Sequence, residues 1–96
     1  MRLSPRQRAV LSEIAKASGP VTIYEIADGV YADDADGGPV EFANVIRVLV
    51  HRLRSAGIEI ERAGRGRASK GYRVAERARP MVESILAETA SSNTNR

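Results

Sequence analysis

Ninety-six residues at 10.4 kDa, 43% hydrophobic and 28% charged, suffice for one compact domain and exclude a two-domain enzyme. The absence of cysteine and the single histidine remove disulfide scaffolds, zinc fingers, iron–sulfur sites, thiol nucleophiles and His-based metal clusters, and with only four aromatics the core must be aliphatic. The net charge of +3 is mild but segregated: residues 32–43 hold four acids and no base, whereas 44–74 hold eight bases and two acids, a block suited to a polyanion or to a solvated surface.

In chain order, Ser4, Pro5 and Gln7 combine an N-cap, a first-turn proline and a capping-box partner, which predicts a helix start. Val10, Leu11, Ile14 and Ala15 follow at helical spacing, and Ser18, Gly19 and Pro20 end the helix. Val21 reads as a very short extended segment. Thr22 and Glu25 form a second capping box, opening a helix with Ile23, Ile26, Ala27 and Val30 on one side. Residues 32–39 read as a loop, since Asp33, Asp34, Asp36, Gly37, Gly38 and Pro39 all favour turns. A calcium register fails there: Ala32 takes the first ligand position and Ala43 the place of the terminal Glu. A solvated acidic connector, or a contact surface for a partner through Asp33, Asp34 and Asp36, remains.

A third helix is predicted over residues 40–55. Phe42, Ile46, Leu49 and Leu53 share an apolar stripe, while Asn44, Arg47, His51 and Arg54 gather opposite. That polar set holds no acid, whereas a solvated helix face ordinarily interleaves Glu with Lys or Arg, so the pattern points to a binding face. Arg52 falls nearer the core stripe and suits a bracing role or a phosphate contact. His51 reads as a neutral hydrogen-bonding residue rather than a pH switch. Gly57 closes the helix, and Ile58 to Glu61 alternates as a half-buried strand. Residues 62–71 read as a flexible turn carrying Arg62, Arg65, Arg67 and Lys70, before a returning strand of Tyr72, Arg73 and Val74. Gly64, Arg65 and Gly66 make no nucleotide fingerprint, for neither a dinucleotide motif nor a phosphate-binding loop precedes a helix. Residues 75–90 hold one more helix, with Met81, Val82, Ile85 and Leu86 as an apolar stripe; its own domain, a second copy or another partner can cover it. Residues 91–96 lack apolar anchors and are expected to be disordered.

Three helices, a short extended link and a basic hairpin in that order make a winged helix-turn-helix. Leu3 to Leu11, Val21 to Ile26, Arg52-Leu53-Arg54 and Gly71-Tyr72-Arg73-Val74 resemble successive motifs of the OmpR/PhoB-type effector domain over residues 3–74. The fold expected is therefore mainly α with a small antiparallel hairpin and an extra C-terminal helix. The resemblance implies a DNA-binding regulator of transcription without the family's receiver domain, and a loop at 32–39 corresponding in position to one that can contact RNA polymerase. Asn44 and Arg47 are then the leading base readers, because Asn suits adenine and Arg suits guanine, with His51 reading or touching phosphate and Arg54 positioning. Arg62, Arg65, Arg67, Lys70 and Arg73 would hold phosphates or a narrow groove. Double-stranded DNA is the expected partner, with RNA polymerase, another regulator or a second copy on DNA as further candidates. Lacking a nucleophile–base pair, the chain is expected to be no enzyme and to use no cofactor or metal. A docking module for transcription machinery is the alternative. No apolar run reaches the roughly 18 residues of a membrane span, and the first residues carry no apolar segment behind Arg2, so a cytoplasmic chain is expected.

Overall fold

The computed structural model describes residues 3–34, 38–65 and 69–94. Four helices, α1 (Pro5–Lys16), α2 (Ile23–Val30), α3 (Phe42–Ser55) and α4 (Arg79–Thr94), surround one apolar core, with an antiparallel hairpin of β1 (Ile60–Arg65) and β2 (Ser69–Val74) between α3 and a 3-10 turn at Glu76–Ala78. This is a winged-helix layout with an added C-terminal helix.

Each early helix begins where its sequence supplies donors with acceptors. Ser4 Oγ accepts from the Gln7 amide while the Gln7 side chain accepts from the Ser4 amide, and Thr22 and Glu25 repeat the exchange. Two orphan amides are thereby paired at each N-terminus, out of four at α2 and three at α1, where Pro5 has no amide hydrogen. α3 lacks such a cap: Glu41 occupies the cap position without a side-chain bond, and Val40 is 97% exposed. The helix consequently begins at Phe42, two residues later than hydrophobic spacing suggests. Its other end is tightly closed. Gly57, at φ +100°, donates to the Arg54 carbonyl and Ile58 to that of Leu53, so the last turn is wrapped back and buried Ile58 lies against buried Leu53.

The core takes Val10, Leu11 and Ile14 from α1, Ile26 from α2, and Ile46, Leu49, Val50 and Leu53 from α3; Ile60, Tyr72 and Val74 come from the hairpin and Val82 and Ile85 from α4. No buried residue among those described is polar. Burying each large aliphatic is worth about 1.5–3 kcal/mol, so these contacts set how α3 is presented. Val50 widens the α3 stripe beyond expectation, and Phe42 is only half-buried, meeting the Tyr24 ring edge-on at 5.7 Å.

The hairpin departs most from expectation. Strand pairing runs from Ile60↔Val74 to Arg65↔Ser69, so most of the stretch expected as a flexible turn is ladder, while Ile58 and Glu59 precede the strand. A ladder needs only backbone donors and acceptors, and Arg62 to Gly71 has no apolar alternation to advertise one. The expected extended residue is found: Val21 pairs with Tyr72 through reciprocal backbone bonds of 2.9 and 2.8 Å, and a Cβ at Gly71 would lie 2.8 Å from the Val21 carbonyl oxygen. Gly71 is the residue that lets β2 approach the α1–α2 joint.

α4 packs on its own domain through Val82 and Ile85, with Leu86 half-buried, but Met81 is 39% exposed and leaves the expected stripe. Arg79 donates to the Ala15 carbonyl at the end of α1. Contrary to the composition-based expectation, the helix continues over residues 91–94. Propagation from packed first turns adds a hydrogen bond per residue without repeating the nucleation cost.

Candidate nucleic-acid interface

With one face of α3 buried, its opposite face is fixed outward. Asn44, Arg47, Val48, His51, Arg52, Arg54 and Ser55 are all exposed, and no acid occurs between Phe42 and Ser55. The outward direction is centred on Asn44, Val48, His51 and Ser55, with Arg47 on one shoulder and Arg52 on the other. Arg47 Nη1 donates to Asn44 Oδ1 at 3.2 Å, joining the two residues expected to read bases. Arg52, on the shoulder nearer the core stripe, is exposed beside the buried Leu49 and Leu53 positions of the helix. Val48, 47% exposed between Asn44 and His51, was missed by reading the face as polar; its four- and three-residue spacing to those neighbours was the available signal. An apolar side chain there suits a thymine methyl as much as a partner protein.

Arg54 belongs to a different arrangement. Its Nε donates to the Ile60 carbonyl at 2.9 Å and its guanidinium lies 5.7 Å from the Tyr72 ring centre, so it ties the end of α3 to both strands. Tyr72, buried and opposite Arg62 in the ladder, carries this contact on the hairpin side. Arg62 is exposed. Arg73 pairs with its cross-strand neighbour Glu61 at 3.0 Å, which offsets the charge expected to face phosphate. Arg67 lies outside the described residues, as do the side chains of Arg65 and Lys70.

Below the hairpin, Arg77 Nε and Nη2 donate to the two Glu59 carboxylate oxygens, the first at 2.7 Å. This hydrogen-bonded fork holds the Glu59 carboxyl below the usual carboxylate range against the opposing effect of desolvation, with charge attraction adding to it; Arg77 is raised in turn, first by the hydrogen bond.

The acidic side of the molecule is separate in character. Asp33 and Asp34 are exposed and border an open depression of about 530 Å³ with Arg6, Tyr31 and Val45, where the Arg6 guanidinium stands 5.0 Å over the Tyr31 ring. Asp36 lies outside the described residues. Tyr24, at 68%, on α2 and Val40 just before α3 are exposed apolar side chains. Among the described residues no cluster of three or more His, Asp or Glu could hold a metal ion, and no helix is long and apolar enough to cross a membrane. Comparison with protein-family models and with curated proteins finds no match.

Proposed function

We propose that this chain binds duplex DNA with sequence preference and regulates transcription in the cytoplasm, with α3 in the major groove and the β1–β2 hairpin along the backbone or in the minor groove. The observation that carries the reading is the acid-free outward face of α3, where Asn44, Arg47, His51 and Arg52 stand exposed above an apolar buried face. An α-helix fits the major groove, and the donor fork of Arg47 matches the acceptors on a guanine edge. The hairpin cations serve affinity and register, since phosphate contacts carry no sequence information. The order of motifs resembling the OmpR/PhoB-type effector domain supports the same reading.

Binding to random duplex DNA across a salt series tests it. The expected result is affinity that falls steeply with salt, with a slope of about 0.9 per phosphate contact, and a preferred sequence recoverable from a random pool. A chain that binds no duplex at low salt defeats the proposal. The exposed apolar side chains of Tyr24 and Val40, together with exposed Asp33 and Asp34, favour one alternative, a docking module for a regulator or for transcription machinery. That reading stands ahead if duplex DNA is ignored.

A further inference from the structure

Arg47 and Asn44 occupy successive turns of α3, and their side chains meet at 3.2 Å through Nη1 and Oδ1. We infer that Asn44 is a positioning residue that holds Arg47 for a guanine, not an independent reader of adenine; this role rests on the DNA-binding proposal above.

The chemistry of the pair carries the assignment. Spending an Nη1 hydrogen on Asn44 leaves the parallel Nε and Nη2 hydrogens of the guanidinium to meet guanine N7 and O6. A bidentate contact to adenine uses the Asn carbonyl oxygen to accept from N6. In Asn44 one of that oxygen's two acceptor positions is given to Arg47, so an adenine contact would have to share it. Among the described residues Asn44 is the side chain that holds Arg47, for no carboxylate lies within α3. A neutral acceptor orients the guanidinium without cancelling its charge, so Arg47 stays attractive to DNA while its freedom is reduced. An aspartate at this position would orient Arg47 as well but would offset its charge and repel the backbone.

The test starts from the preferred duplex and all its single base-pair replacements, measured with the intact chain and with Arg47→Ala, Asn44→Ala, Asn44→Asp and the double alanine variant, each checked by circular dichroism for folding. Asn44→Ala is expected to relax discrimination about three- to tenfold at the same G·C pair that Arg47→Ala relaxes, with little further loss in the double variant. Asn44→Asp is expected to retain the preference at that pair while binding all duplexes more weakly. Relaxation by Asn44→Ala at a different base pair, additive losses, or equal loss on every duplex overturns the positioning role and leaves the DNA reading standing. A chain with no sequence preference at all removes both. In the DNA-free chain, ¹⁵N relaxation of the Arg47 guanidinium supplies an independent reading: restricted motion released by Asn44→Ala is expected, and motion unchanged by that substitution counts against the pair.

Discussion

The outward face of α3 and the base of the hairpin are both rich in arginine, yet the two regions use it differently. On α3, Arg47 touches only a neutral amide among the described residues, and Arg52 stands exposed. At the hairpin, Arg73 is matched by Glu61 and Arg77 by Glu59, while Arg54 turns inward to the Ile60 carbonyl and the Tyr72 ring. Charge along the chain therefore overstates the charge available to a polyanion. Part of the basic block holds the hairpin to the helix, and the part left uncompensated sits on the face suited to reading.

The largest effect should come from removing the core residue beneath both regions. Leu53 is completely buried and its carbonyl accepts from Ile58 at the turn into the hairpin. Leu53→Ala is expected to cost about 2–5 kcal/mol in chemical denaturation, with loss of DNA binding following loss of fold. A cost below 1 kcal/mol would mean that helix and hairpin are not supported by a common core.

Arg47→Ala separates the two regions functionally. It should weaken the preferred duplex by about 1–3 kcal/mol and random duplex by less, because a lost bidentate contact penalises the correct base. Joint replacement of Arg65, Arg67 and Lys70 by Ala should instead weaken both duplexes by similar factors and flatten the salt dependence by about 0.9 per contact removed. Equal losses on both duplexes for Arg47→Ala would assign it to the backbone; a hairpin variant that loses only the preferred duplex would make the hairpin a reader.

Arg54 tests the attachment itself. Arg54→Ala should destabilise the fold by about 1–2 kcal/mol through loss of one hydrogen bond and one ring contact, and Arg54→Lys should recover little, since the Nε donor and the planar guanidinium are both gone. Full recovery by lysine would show that charge alone matters there.

The smallest effects concern the compensated pairs. Glu61→Gln should change stability by less than about 0.5 kcal/mol, as exposed pairs do, while raising duplex affinity slightly by releasing Arg73. No rise in affinity would place Arg73 away from DNA. For Glu59 the depressed carboxyl sets the sign: its contribution is present above the ordinary carboxylate range and lost as pH falls through the lowered value. The thermal midpoint of Glu59→Gln should accordingly lie below that of the intact chain at neutral pH, with the gap closing on acidification. A gap independent of pH would show that the ion pair contributes nothing.

What the sequence determined by itself was local. Ser4 with Gln7 and Thr22 with Glu25 form their caps across three residues, the aliphatic spacing marks the buried sides of α1 and α3, and Gly57 closes α3 through neighbours one turn away. The acid-free face of α3 was legible for the same reason, because helical periodicity alone places those residues together. Tertiary structure decided what depends on distant partners: Val21 meeting Tyr72, Arg54 attached to Ile60 and Tyr72, Arg77 forked on Glu59, and Arg79 on the carbonyl of Ala15. It also placed Arg52 outside and extended the hairpin through Gly- and Arg-rich sequence, where backbone pairing needs no apolar pattern. A cap is chosen by groups already adjacent along the chain, whereas an arginine's partner is chosen only after packing has brought another segment within reach.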